Sequence, residues 1–167
     1  MKNFLLFFFA LCLLGCGTTT NKGAVTDRAD KVLVFKARRE MQLLKQDQVL
    51  RTYKISMGDQ PVGHKQQEGD ERTPEGKYVL DWRNGKSAYY KSIHVSYPNE
   101  QDRASAKSRG VSPGGDIMIH GMAKKMAWIG SLHTFKDWTN GCMAVTNEEM
   151  DEIWVMVKNG TEIEILP

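Results

Sequence analysis

Hydrophobic and polar positions alternate differently in successive parts of the chain. Phe4 to Leu14 is an unbroken apolar run. As a helix it would span about 16 Å, half the hydrocarbon core of a bilayer. That is too short to cross a membrane and right for the apolar region of a signal peptide. Gly17 to Asp30 is small and polar and reads as a tether. Lys31 to Lys36 is a β-branched run that predicts a strand, and Met41–Leu44 with Val49–Met57 predicts a hairpin turning at residues 45–48. Gly58 to Gly76 is poor in apolar residues and reads as a long loop. Strands follow at Tyr78–Trp82 and Tyr89–Val95, with a turn at Asn84-Gly85. Pro98 to Gly115 again reads as loop, and Asp116 to His120 as a short buried strand. The C-terminal pattern changes period. Met150, Ile153, Trp154 and Val157 recur at i, i+3, i+4 and i+7, behind a capping box at Thr146 and Glu149 and before a stop at Gly160. Thr161 to Leu166 alternates as a last strand. The sum is a mostly β, α+β domain with a packed C-terminal helix.

Composition narrows the function. At 167 residues the chain has room for one ordinary domain, and 41% apolar with 26% charged residues excludes wholesale disorder and a multi-span membrane protein. A net charge of +3, without a basic stripe interleaved with aromatics, gives no reason to expect a nucleic-acid partner. Leu13-Leu14-Gly15-Cys16 closes the first apolar run and resembles the lipobox of bacterial lipoproteins. The resemblance implies a signal peptide over residues 1–15, lipidation of Cys16, a tether over residues 16–30 and a folded domain over residues 31–167. It places the protein outside the cytoplasm, lipid-anchored to a bacterial membrane and facing the periplasm or cell wall. Gly rather than Asp at position 17 favours the outer membrane where there is one.

Of three cysteines, Cys12 leaves with the signal and Cys16 carries lipid, so Cys142 is the remaining thiol. An unpaired thiol in an oxidising compartment is a liability unless it is used or buried. With a pKa near 8.5 it is only about 3% thiolate at neutral pH, so a nucleophilic cysteine needs a base or cation beside it. The histidines are His64, His94, His120 and His133. His120 ends an apolar strand, where a sheet can deliver a side chain to a site, and Gly141 lets the backbone turn tightly before Cys142. His120, His133 and Cys142 are also zinc-compatible types, but their spacing matches no HExxH or His-x-His pattern. A non-catalytic wall-binding module is a third reading.

The stretches Ile119-His120-Gly121 and Thr139-Asn140-Gly141-Cys142-Met143 resemble the signature of the YkuD-type L,D-transpeptidase catalytic domain. Gly69-Asp70-Glu71-Arg72-Thr73-Pro74-Glu75-Gly76 and Ser112-Pro113-Gly114-Gly115-Asp116 fit the same family, and the resemblance covers residues 31–166. It implies a β-sandwich-like fold and an exported enzyme acting on peptidoglycan stem peptides without a cofactor or metal. Cys142 would be the nucleophile, His120 its base, and the Gly121 carbonyl would orient His120. The amides of Gly141 and Cys142 would hold the oxyanion. Thr139, Asn140, Arg109 and His94 would meet substrate.

Two positions depart from the family pattern. Asn140 stands where His or Arg is common, and Ala144 where an Arg is common, which removes a fork suited to a substrate carboxylate. Lys65, Arg103 or Arg109 would have to replace it. The Cys142-Met143-Ala144-Val145-Thr146-Asn147 run resembles a subgroup with a hydrolytic member that releases a lipoprotein from the wall. The resemblance therefore implies either transpeptidation, making 3–3 cross-links or attaching a protein, or carboxypeptidase/endopeptidase cleavage, with a wall-attached lipoprotein as a second partner. His133, Trp128 and Trp138 fall in a lid region, and Asp70 and Glu75 read as loop-fixing residues.

Overall fold

The computed structural model describes residues 27–167. The expected signal peptide, the lipidation site Cys16 and most of the tether lie outside the described residues. Strand β1 (Lys31–Phe35) buries Val32 and Val34 completely and turns its other residues outward. It pairs antiparallel with β2 (Glu40–Lys45) on one side. The β2–β3 hairpin (β3, Gln48–Lys54) turns at Gln46-Asp47, both with positive φ, as the sequence predicts. On its other side β1 pairs in parallel with the C-terminal strand, which therefore inserts into the middle of the sheet.

Strand β4 (Gly76–Ser87) runs straight through Asn84-Gly85, where a turn was expected. The chain reverses instead at Ala88-Tyr89 into β5 (Tyr90–Val95), and Tyr90 takes φ 72°. Register shifts interrupt the β4–β5 ladder between Leu80 and Arg83 and between Asn84 and Ser87. Such irregularities re-aim side chains out of strict alternation.

The stretch Pro98–Gly115, expected to be loop, contains helix α1 (Glu100–Ser108). Asn99 and Asp102 form a full capping box, but only Asp102 and Ala106 of the helix are buried. A helix held by its cap and one alanine leaves no apolar stripe to read. Strands β6 (Met118–His120) and β7 (Met143–Ala144) are short and mutually parallel. Helix α2 (Asn147–Met156) starts at the expected cap, Thr146, and buries Met150, Ile153 and Met156. Strand β8 (Thr161–Leu166) completes the order β3-β2-β1-β8-β4-β5-β6-β7. The two ends of this mixed sheet meet: Ser56, just beyond β3, exchanges two backbone hydrogen bonds with Ala144 of β7, at 3.1 and 2.8 Å. Closure fixes β7 from both sides, and Cys142 immediately precedes it. Among the described residues no helix is long and apolar enough to cross a membrane.

Candidate active site

Strand β6 is held between β5 and β7, with Ser92 and Ala144 as the partners of His120. The His120 imidazole is 4% exposed and packs against two rings, Tyr89 at 4.7 Å and Trp138 at 5.9 Å between centroids. Its Nδ1 lies 2.7 Å from the Gly121 carbonyl oxygen. A carbonyl only accepts, so Nδ1 carries the proton and Nε2 is left as a basic lone pair. A Cβ at residue 121 would sit 2.6 Å from Asn147 Oδ1 and displace that side chain. That same oxygen accepts from the Met122 amide at 2.8 Å, so the first residue of α2 fixes the chain as it leaves the histidine.

Cys142 sits on a turn tied by Thr139, whose hydroxyl accepts from the Gly141 amide at 3.1 Å and donates to the Cys142 carbonyl at 2.7 Å. Gly141 has φ 121°, and a Cβ there would come within 2.6 Å of the Arg72 carbonyl oxygen. The Gly141 amide, expected as an oxyanion donor, is thus engaged by Thr139. Among the described residues the Cys142 amide donates to no oxygen and is the donor left for that role. The thiol donates to the Asp116 carbonyl at 3.5 Å.

Burial pushes the Cys142 thiol above its ordinary value; the Met118 amide pulls it down, Asp116 pushes it up and Lys65 pulls it down. Burial also lowers His120, against the pull of the Gly121 carbonyl. Both shifts favour thiol and neutral imidazole over an ion pair, an arrangement in which the proton moves as the sulfur attacks.

His120 and Cys142 open on one cleft of about 460 Å³. Asn84, Ser87, Tyr89 and Ser92 of the β4–β5 hairpin form one wall. Gly115–Met118 and Trp138–Asn140 form the other. Asn84 and Ser87 have opposite parity, and the register shift between them brings both to the cleft.

Thr139 and Asn140 therefore stand at the site as expected. The cations do not. Arg109 is bonded to Gln66 and to the Ser105 carbonyl. Arg103 donates to the Pro98 carbonyl. Lys65, 3% exposed, is held by Asp70 at 2.8 Å and the Gln67 carbonyl at 3.1 Å. His94 stacks on Trp82 and bonds Asp81 at 2.7 Å, outside the cleft lining. His133 is buried, not a solvent-facing lid residue: its Nδ1 lies 2.9 Å from Ser56 Oγ. Among the described residues no three His, Cys, Asp or Glu side chains converge as a metal site. Sequence reasoning missed Tyr89, Asn84, Ser87, Ser92 and Asn147, which no local pattern distinguishes from ordinary strand and helix positions.

Comparison with known proteins gives one consistent result. The family model for the YkuD L,D-transpeptidase catalytic domain matches residues 29–165. YafK of Escherichia coli strain K12, assigned by its name to the L,D-transpeptidases, is 33% identical over 132 residues, covering 75% of this chain and 46% of its own. The crystal structure of Pgp2 from Campylobacter jejuni, titled a helical cell shape determining protein, superposes with a TM-score of 0.63 at 27% identity. It covers 84% of this chain and 48% of that one. Bd1075 of Bdellovibrio bacteriovorus shares the fold at TM-score 0.60 and 22% identity, over 83% of this chain and 48% of its own. The chain spans about half the length of the curated relatives it matches.

Proposed function

The chain belongs to the YkuD family of L,D-transpeptidase catalytic domains, and from that premise we propose that it is a peptidoglycan-modifying cysteine acyltransferase. The reading is carried by one observation. His120, its Nδ1–H fixed on the Gly121 carbonyl at 2.7 Å, shares a cleft with Cys142 on a glycine turn. Cys142 Sγ attacks the carbonyl on the L-centre of the diamino acid in a stem peptide as its proton passes to His120 Nε2. The Cys142 amide faces the developing oxyanion. The tetrahedral adduct expels the D-alanine amine, which takes the proton from His120, and a thioester remains. An amine of a second stem then attacks the thioester, its proton passes through His120, and Cys142 is released with a new 3–3 amide bond. Water in place of the amine gives hydrolysis. The Cys142–Asn147 run, which resembles a subgroup with a hydrolytic member, supports this second outcome. The protein works outside the cytoplasm, anchored by lipid on Cys16, with the outer membrane favoured. A wall-attached lipoprotein is a further candidate partner.

The test incubates the wild-type chain and Cys142→Ala with tetrapeptide muropeptides and lipoprotein-bearing wall fragments, with products read by mass spectrometry. Dimers lost in the variant support the acyltransferase. Tripeptides or released lipoprotein peptide without dimers assign a hydrolase to the same thiol. No Cys142-dependent product overturns the catalytic reading. Labelled palmitate incorporation that survives Cys16→Ser would overturn the anchor.

A further inference from the structure

The cleft holds one formal charge besides the reacting pair. Its lining is otherwise uncharged, with Asn84, Ser87, Ser92, Thr139 and Asn140 supplying polar groups and no Arg or Lys among them. The exception is Asp116. Its backbone carbonyl accepts from the Cys142 thiol at 3.5 Å, and its side chain is exposed. Among the described residues no Lys, Arg or His lies within ion-pairing distance of that carboxylate; Asp30 and Asp47 share this but lie outside the cleft lining, whereas Asp70, Asp81, Asp102, Asp137 and Asp151 are all paired. The nearby cation, Lys65, is buried against Asp70. Asp116 also takes φ 53°, a left-handed conformation that aspartate, asparagine and glycine tolerate best. Backbone geometry alone would be served equally by an uncharged asparagine, so the charge needs its own account.

We propose that Asp116 is a specificity-determining residue whose unpaired carboxylate selects, beside Cys142, a substrate group bearing an ammonium. This deepens the proposed function and rests on it for the identity of the substrate. A stem peptide with a diamino acid carries such an ammonium on its side chain, either on the strand that donates the acyl group or on the strand that accepts it. The carboxylate stands on the cleft lining beside the thiol, so its field reaches a group docked there and, the side chain being exposed, is screened by salt. The same charge opposes formation of a thiolate, consistent with a resting thiol that is deprotonated only by His120.

The experiment uses the full chain in detergent and two alkylating probes of similar size, neutral iodoacetamide and anionic iodoacetate. Modification of Cys142 is read by peptide mass. The ratio of the two rates cancels any change in thiol acidity. Asp116→Asn, which keeps the left-handed turn, should raise the iodoacetate-to-iodoacetamide ratio at least threefold at low salt, and added salt should shrink the difference. Asp116→Gly should do the same, which separates charge from backbone. An unchanged ratio in both variants overturns the proposal, whatever the enzyme does to peptidoglycan. A second arm compares muropeptides with free and N-acetylated diamino-acid amines. Loss of the wild-type preference for the free amine in Asp116→Asn, on the donor or on the acceptor, identifies which strand is read. No preference in the wild type on either strand overturns the assignment to a substrate ammonium while leaving the acyltransferase reading intact.

Discussion

One cluster of polar residues belongs to the β3–β4 loop that packs on Gly141, the other surrounds the cleft that Cys142 lines, and they are finished differently. In the β3–β4 loop every buried charge is engaged. Lys36, 2% exposed, donates to the Gly63 carbonyl at 2.6 Å, the Thr73 carbonyl at 3.0 Å and Glu75 at 2.7 Å. Asp70 accepts from Lys65 and from the amides of Gln66, Gln67 and Arg72. Asp102 takes the Tyr78 hydroxyl at 3.0 Å and His64 Nε2 at 3.0 Å, and His64 Nδ1 accepts from the Glu75 amide. Around the cleft the same residue types are left open. Trp138 Nε1 in the cleft lining is buried without a partner, as are His133 Nε2 and, against Trp154, Arg83 Nε outside that lining, and the Asp116 carboxylate is unpaired among the described residues. Saturated polar groups make architecture, since each missing partner would cost stability. Open ones are tolerated where a substrate can complete them.

The largest effect should come from opening the closed cluster. Lys36→Met keeps the length of the side chain and removes three hydrogen bonds, leaving Glu75 and two carbonyls without their donor. The expected loss is about 3 kcal/mol of unfolding free energy, read from urea denaturation. Lys36→Met with Glu75→Gln should recover part of it, because the stranded charge is then gone. A midpoint unchanged in the single variant would break the comparison at its saturated end.

Much of this arrangement was legible in residues that act locally. Thr146 and Glu149 cap α2 where the sequence puts the cap, and Gln46-Asp47 turn the first hairpin. His120 and Cys142, with twenty-one residues between them, open on one cleft because each sits on, or just before, neighbouring strands of one sheet. What failed depends on partners that composition does not reveal. Lys65, Arg103 and Arg109 look equally available in the sequence, yet Lys65 is held by Asp70 and Gln67 of its own loop, Arg103 by the Pro98 carbonyl just before its own helix, and Arg109 by Gln66 of the β3–β4 loop. The Asn84-Gly85 pair carries strong turn chemistry, but β5 pairs Ser92 with Asn84 and Tyr90 with Ser87, which carries the strand through and moves the reversal to Ala88-Tyr89. Helix α1 has no apolar stripe, so only its Asn99–Asp102 cap could have announced it.

The clusters should also lose stability in different pH windows. Burial lowers both His120 and His133. The unfolded chain protonates them near pH 6.5, while the folded chain resists until a lower pH. Below about 6.5 the unfolded state therefore binds more protons, and stability falls as pH drops towards the folded values. Burial raises Asp70, but the Gln66 amide, the Lys65 ammonium and the amides of Gln67 and Arg72 outweigh it and hold the carboxyl below its ordinary range. Its contribution is complete above the unfolded value near 3.9 and is lost only as pH falls below that. Urea midpoints measured from pH 7.5 to 3 should show a first decline starting near 6.5 that His133→Gln shallows, and a later one that Asp70→Asn lessens. A profile flat between pH 7 and 5 would mean that the two histidines are not buried neutral.

The smallest and sharpest contrast removes one donor from each cluster. Tyr78→Phe deletes a hydroxyl that donates to buried Asp102, so it should cost about 1 kcal/mol of stability and leave kcat/KM unchanged. Trp138→Phe deletes an indole N–H that is buried without a partner in the wall of the cleft, while an aromatic ring remains to pack against His120. No hydrogen bond is lost on folding, so the unfolding free energy should move less than in Tyr78→Phe. If substrate completes that N–H, the deficit appears instead as a rise in KM of about fivefold, the equivalent of one net hydrogen bond. Equal losses of stability in the two variants, with no change in KM for Trp138→Phe, would mean that an open donor beside His120 is packing like any other, and that unpaired polar atoms do not mark the site.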